Sequence, residues 1–536
     1  MENIPLNNQH CDIIVIGGGC VGSGVALDAT LRGYNVILLE KNDFASGASS
    51  KSSKLVHGGI RYLEKAIKQI NKAQYDLVKE AIKERAIFLE NAPHLAKKIK
   101  INIPIYSYLN LVYTYIGLLI YTLMVKNRSL GKHHFVNKIV DILFASNIKQ
   151  ENLKGFLSFW DGTFLDSRMI ISLLQTAVFN GAIVKNYCEV NEFLYDENNK
   201  VSGVKYFDKT QNKSYEISAK AVVNASGANV DNLRILDDEN SNEILALSSG
   251  IHIVVSKEFL SSNEGILIPN TSDGRVVFIL PYMNFCLIGT TDNKTVYEEN
   301  PKVKEEEIEY LLNEVNNYFE KPLTKEDILS SWSGIRPLIK SNKSVTQQMV
   351  REHTILKSKN NLITIAGGKW TTYRKMAEEL VDFLIKNQFL EKQKKCETKQ
   401  YKLFGNDGEI KALEKLLCFY PISNTTKDSL KILYGTACIK VLDFATQTDN
   451  FELINPNLPY LKAEIEYCIK EEFVQKPIDF LARRVGLCFL DKNLALECVN
   501  VVCEEMGKLL LWNEQRVEKE KMECKESVNI YSLHSN

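Results

Sequence analysis

The chain has 536 residues, and its 66 basic and 66 acidic side chains balance to zero net charge; the basic excess of nucleic-acid binders is missing, so no nucleic-acid partner is expected. With 45% hydrophobic and 25% charged residues it is neither disordered nor fibrous, and its length suits about three structural units. The twelve cysteines include no CxxC pair, which fits neither a disulfide framework nor a metal site and favours a reducing compartment.

In chain order, "MENIPLNNQH" is too short and polar for a secretory signal and lacks the arginines of a transit peptide. From Asp12, "DIIVIGGGCVGSGVALDATLRGYNVILLEK" reads as strand, glycine turn, helix and strand, with Val21–Arg32 helical and Gly33 as its stop. Gly17, Gly19 and Gly22 match G-x-G-x-x-G. The first allows a tight turn, the second admits a pyrophosphate to the backbone, and the third packs helix on sheet. Glu40 closes the second strand at the distance where an acid binds ribose hydroxyls. Both NAD and FAD carry an adenosine ribose, so Glu40 does not separate them. The next stretch does. A nicotinamide enzyme would continue with alternating strands and helices, whereas here "NDFASGASSKSSKLVHGGIRYL" follows, a serine-rich run with too few apolar residues for a third strand. Its hydroxyls and amides suit the second side of a permanently bound pyrophosphate. With no second glycine fingerprint, a resident FAD is expected.

Residues 64–100 read as helical and charged. The uncharged run Ile101–Val125 is long enough to span a bilayer, but Pro104 and five tyrosines make a buried or interfacial segment the expectation. Residues 183–231 and 250–292 break into short strands separated by turn residues, which predicts an antiparallel second sheet. "NLITIAGGKWTTYRKMAEELVDFLI" repeats strand, glycine turn and helix, and is expected to return to the first sheet. Beyond residue 400 helices dominate, and the last twenty or so residues are expected to fray.

Five words, "GASSKSSKLVHGGIRYLEKA", "FILPYMNFCLIGTTD", "SWSGIRPL", "AGGKWTTYRKMAEE" and "DFLARRVGLCFLD", resemble those of the FAD-dependent glycerol-3-phosphate dehydrogenases, in the same order from about Asp12 to Trp512. The wording is most like the mitochondrial-type enzymes, without the presequence and calcium-binding loops many of them have. The resemblance implies an α/β fold: a Rossmann-like FAD domain, an antiparallel-sheet substrate domain of the D-amino-acid-oxidase kind and a C-terminal all-helical domain. Residues 1–395 would form the oxidoreductase module. Its FAD-binding parts would be about 10–95, 150–235 and 345–395, its substrate parts about 96–149 and 236–344, and the helical domain 400–536.

The implied reaction oxidises sn-glycerol 3-phosphate to dihydroxyacetone phosphate, with electrons passing through FAD to membrane quinone. It further implies a peripheral protein of the mitochondrial inner membrane, of a related organelle or of the cytoplasmic face of a bacterial membrane, and leaves a homodimer open. His252, in "GIHIVV", is the candidate base, since imidazole titrates near neutrality. Arg336 in "GIRPL" is the leading phosphate ligand, with Arg61, Tyr62, Arg351 and Lys369 as further substrate contacts, because an arginine fork suits a phosphate monoester. The cofactor set is Gly17, Gly18, Gly19, Val21, Gly22, Glu40, Ser49, Ser50, Ser53, Lys54, Leu55, Gly227, Gly367, Gly368, Lys369, Thr371 and Thr372. No metal is implied. The chain departs from the family in "NASGANVD" (Asn224–Asp231), which lacks a proline and an aromatic, and in "PLIKSNKSVTQQMV", which lacks acidic residues. An oxidase making hydrogen peroxide and a flavin amine oxidase stay as alternatives; the several cations weigh against the second.

Overall fold

The computed structural model describes residues 8–59, 72–125, 130–137, 147–340, 353–406, 408 and 410–532. Among these, eight strands form one sheet and ten another. The centre of the first sheet is parallel. Ile363–Gly367, Lys213–Asn224, Gln9–Ile16, Val36–Leu39 and Ile183–Lys185 lie side by side in that order. Val36–Leu39 is buried at every residue, as a strand covered on both faces must be. The helix Cys20–Leu31 covers one face, with Asp166–Phe179 and Tyr373–Lys386 against it. A Cβ at Gly24 would lie 2.9 Å from the Tyr373 ring, so glycine sets how closely these helices approach. Ile363–Gly367 returns to the first sheet, parallel to Lys213–Asn224, as its strand, turn and helix pattern predicts.

The second sheet is antiparallel except where Gly265–Ile268 runs parallel to Ala96–Ile105. At its heart Leu245–Ser256 lies between Phe285–Gly289 and Ile328–Ile339. Leu55–Val56 and Gly155–Phe164 belong to this sheet, although the sequence boundaries group them with the cofactor-binding parts.

The C-terminal unit is helical from Ile410 to Asn529. Up to residue 532, the last one described, its end does not fray as expected. Glu514–Asn529 is a helix capped by the Asn513 side chain, and Cys524, Val528 and Tyr531 are buried. The Tyr531 carbonyl accepts the Ser331 N–H at 2.9 Å, which ties the tail to the strand Ile328–Ile339. Apolar residues at positions 524, 528 and 531 form a narrow stripe that the many charges around it conceal.

Candidate active site

The strand Gln9–Ile16 ends at Gly17, whose φ of +114° favours glycine. A Cβ at Gly22 would fall 1.9 Å from the Gly17 carbonyl oxygen. Gly19 at the N-cap of the first helix has no side chain to cap it, so the N–H groups beyond Cys20, beginning with that of Val21, are left for an anion. One carboxylate oxygen of Glu40 accepts the Gly18 N–H at 2.7 Å and the other the Asn42 N–H at 3.0 Å. Across the loop, Ser49 Oγ accepts the Cys20 N–H at 3.0 Å.

A cavity of about 490 Å³ has this loop in its wall together with His252 and Arg336. Gly17, Gly19, Val21, Glu40, Ser49, Ser53, Leu55, Gly227, Gly367, Gly368, Lys369 and Thr371 also line it. The fit to FAD is direct: a helix N-terminus that opens with glycine for phosphate, a carboxylate for ribose, and close glycine backbone for a flat ring. Replacing Gly19 by Val tests this. Its Cβ would meet only the Ser49 side chain, whose Oγ lies 3.0 Å away, so the protein should fold yet purify without flavin. A yellow Gly19→Val protein would sink the assignment.

Other members of the expected set stand back from the cavity. Gly18 and Gly22 shape the loop from within. Ser50 is buried, and its carbonyl accepts from Lys54 Nζ at 2.6 Å. Lys54, with φ +57°, turns its ammonium away to Asp166, 2.7 Å off, beneath the Phe489 ring. Thr372 uses its hydroxyl on the Lys369 carbonyl. Arg61, Tyr62 and Arg351 lie outside the described residues.

The end of the cavity that holds His252 and Arg336 rests on sheet register. Ser248 pairs with Arg336 and His252 with Trp332, so His252 and Arg336 project from the same face two residues either side of Gly250 and Gly334 respectively along their strands. Those glycines leave the space. A Cβ at Gly250 would strike the Arg336 guanidinium at 2.3 Å, and one at Gly289 the His252 ring at 2.2 Å. Arg336 donates to Thr290 Oγ1 at 2.8 Å and to the Thr291 carbonyl at 3.1 Å, with Asp292 3.6 Å away. The His252 ring stacks on Trp332, centroids 5.4 Å apart. Its Nε2 pairs with Ser53 Oγ at 2.8 Å, and Nδ1 has no partner among the described residues. Burial, then the charges of Arg336 and Lys54, holds this imidazole well below its ordinary pKa, so it is neutral and able to accept a proton.

Sequence reasoning named Ser53 for the cofactor but missed its contact with the His252 ring. It missed Lys51 altogether, which lines the cavity, where burial and then the nearby Arg483 charge pull its ammonium down to about 8. A lysine inside a serine run was the available signal.

The match to known proteins follows the same geometry. Residues 12–374 fit the family described as FAD dependent oxidoreductase, and residues 396–517 fit the C-terminal domain of alpha-glycerophosphate oxidase. The chain is therefore an FAD-dependent oxidoreductase. The mitochondrial glycerol-3-phosphate dehydrogenase of Schizosaccharomyces pombe is 38% identical over 98% of this chain and 88% of its own. A crystal structure of the Bacillus halodurans glycerol-3-phosphate dehydrogenase complexed with FAD is 30% identical, with a TM-score of 0.78 over 98% of this chain and 96% of that one. The L-alpha-glycerophosphate oxidase of Mycoplasma pneumoniae shares the fold, at 16% identity and a TM-score of 0.56 over 74% of this chain and 99% of its own. Within the oxidoreductases, the chain belongs to the glycerol-3-phosphate dehydrogenase family.

Proposed function

We propose that this protein oxidises sn-glycerol 3-phosphate to dihydroxyacetone phosphate. The observation that carries this reading is one cavity holding a dinucleotide loop, a neutral buried histidine and an arginine fork. Bound FAD supplies the hydride acceptor. Arg336 and Lys369 hold the phosphate and so place the secondary alcohol near His252. The imidazole takes the hydroxyl proton as the carbon–hydrogen bond gives up its electron pair. An anaerobic mixture of the purified protein with glycerol 3-phosphate should bleach the flavin near-completely, and a quinone analogue should restore the colour. Restoration by oxygen alone would make it an oxidase; no bleaching would end the reading.

We further propose that the electrons leave to a lipid-soluble quinone at a membrane surface. Support comes from the helix Tyr108–Val125, which has no charged residue and exposes Leu109, Val112, Tyr113, Ile116 and Leu119 at the three- and four-residue spacing of one helix face. No helix among the described residues is long and apolar enough to cross a membrane. The opposite face reaches toward the cavity: Arg85 donates to Tyr121 at 2.8 Å and to Asp161 at 2.7 Å, and Asp161 is in the cavity wall. Glutamate at Leu109, Val112 and Ile116 should abolish liposome binding and quinone reduction while dye reduction persists. Leu118 has to be avoided in such tests, since it is only 1% exposed and a charge there would strike the core.

A further inference from the structure

The sequence word "DFLARRVGLCFLD" lies in the C-terminal helical unit, and the reaction makes no use of it. Its two arginines nevertheless converge on the cofactor loop. Asp43, three residues after Glu40, is wholly buried. Arg484 grips it with both ends of its fork, at 2.8 and 2.9 Å, and Arg483 Nε reaches the same carboxylate. Asn186 adds a bond at 3.1 Å. Consecutive side chains on an α-helix diverge by about 100°, but Asp479–Arg484 is a wider, π-helical turn, of a kind found often at functional sites. The arginines are anchored from behind, Arg484 by two bonds to the Glu472 carbonyl at 3.0 and 2.7 Å, Arg483 by Asp479 at 2.8 Å.

From Asp43 the contact runs to the glycine loop within two residues. The Phe44 ring lies where a Cβ on Gly18 would be, 2.5 Å from it. That ring meets Phe473 of the C-terminal unit edge to face, centroids 5.3 Å apart. The Ala45 N–H donates to the Gly18 carbonyl at 3.1 Å, while Glu40 takes the Gly18 N–H. The Gly18 peptide is thus held from both sides, and one holder depends on Asp43. Arg483 and Arg484 face the carboxylates of Asp43 and Asp479, with Glu472, itself paired to Arg168, 3.9 Å from Arg484, so three cations meet three anions. Apolar side chains of similar size would join two units at least as firmly as a buried ion pair. What the forked pair adds is a fixed geometry for the loop.

We infer that the C-terminal unit is part of the cofactor site, with Arg483 and Arg484 as positioning residues that act through Asp43 to hold the glycine loop in its cofactor-receiving shape. This rests on FAD being the resident cofactor.

The test compares Arg484→Lys, Arg484→Met and Phe473→Ala in the full-length holoprotein. FAD release is followed by free-flavin fluorescence after dilution, and thermal unfolding is measured with and without flavin. The lysine keeps the charge and loses the fork. It should release FAD about ten- to a hundredfold faster and narrow the gap between holoprotein and apoprotein melting temperatures, because cofactor binding contributes less to the folded state. Val499→Ala, inside the C-terminal core, should lower both melting temperatures together without faster release. Release within twofold of wild type in Arg484→Lys, or a parallel fall of both melting temperatures, would overturn the inference. Should neither Arg484 variant fold, Phe473→Ala decides: the ring is partly exposed, and unchanged release in that variant also overturns it. A wild-type protein that purifies without flavin would instead remove the FAD reading.

Discussion

Arg336→Ala is expected to lose roughly 10² to 10³·⁵ in kcat/KM on glycerol 3-phosphate. Removing one partner of a buried charge pair costs ~3–5 kcal/mol, and each 1.36 kcal/mol is about a decade in rate. The loss should be much smaller on unphosphorylated glycerol, which offers the arginine no phosphate. This comparison matters because Arg336 also bonds Thr290 and Thr291 within the protein. If its work were to brace that turn, both substrates would suffer alike, and equal losses would show it. Arg336→Lys should fall between, keeping a charge without the fork that matches a phosphate.

His252→Gln should lower kcat by about 10² to 10⁴, the usual range for a lost general base, with flavin content unchanged. The pH dependence has a definite sign. A base works only when deprotonated, and burial followed by the Arg336 and Lys54 charges depresses the His252 pKa. Activity should therefore stay level as pH falls past the ordinary histidine value of about 6.5, and decline only further into acid. Arg336→Ala removes one of the opposing charges, so in that variant the acid limb should move to higher pH. A limb that stays in place would mean that the group titrating in the wild type is not this imidazole. The same depression has a stability counterpart. Below about pH 6.5 an unfolded chain binds a proton here that the folded one refuses, so folding loses this contribution as pH falls.

Much of the cofactor site is legible in the chain because its parts are neighbours. Gln9 to Glu40 includes strand, turn, helix and acid within one βαβ unit, and the physics of each part is local: a positive φ, a helix that opens with glycine, a buried four-residue strand. The resemblance in five words then supplies His252 and Arg336 as candidates. Neither source states that they share a face. That depends on the register of Leu245–Ser256 against Ile328–Ile339, and a shift of one residue would turn either side chain to the other side of the sheet.

Leu118 and Leu119 show the limit most plainly. They are adjacent and chemically identical, yet one is 1% and the other 43% exposed. A helix without charges has no polar stripe to mark its outer face, so only the neighbours it packs against fix its rotation. The same holds for Ser53, whose partner is 199 residues away, and for Asp43, 441 residues from Arg484. By itself the sequence determined the elements, the cofactor loop and the family, since periodicity, turn chemistry and motif spacing act over a few residues. Which side chains meet in the cavity, which face of the uncharged helix is bare and what the C-terminal arginines grip were decided by tertiary packing, because those contacts join segments that no local pattern links.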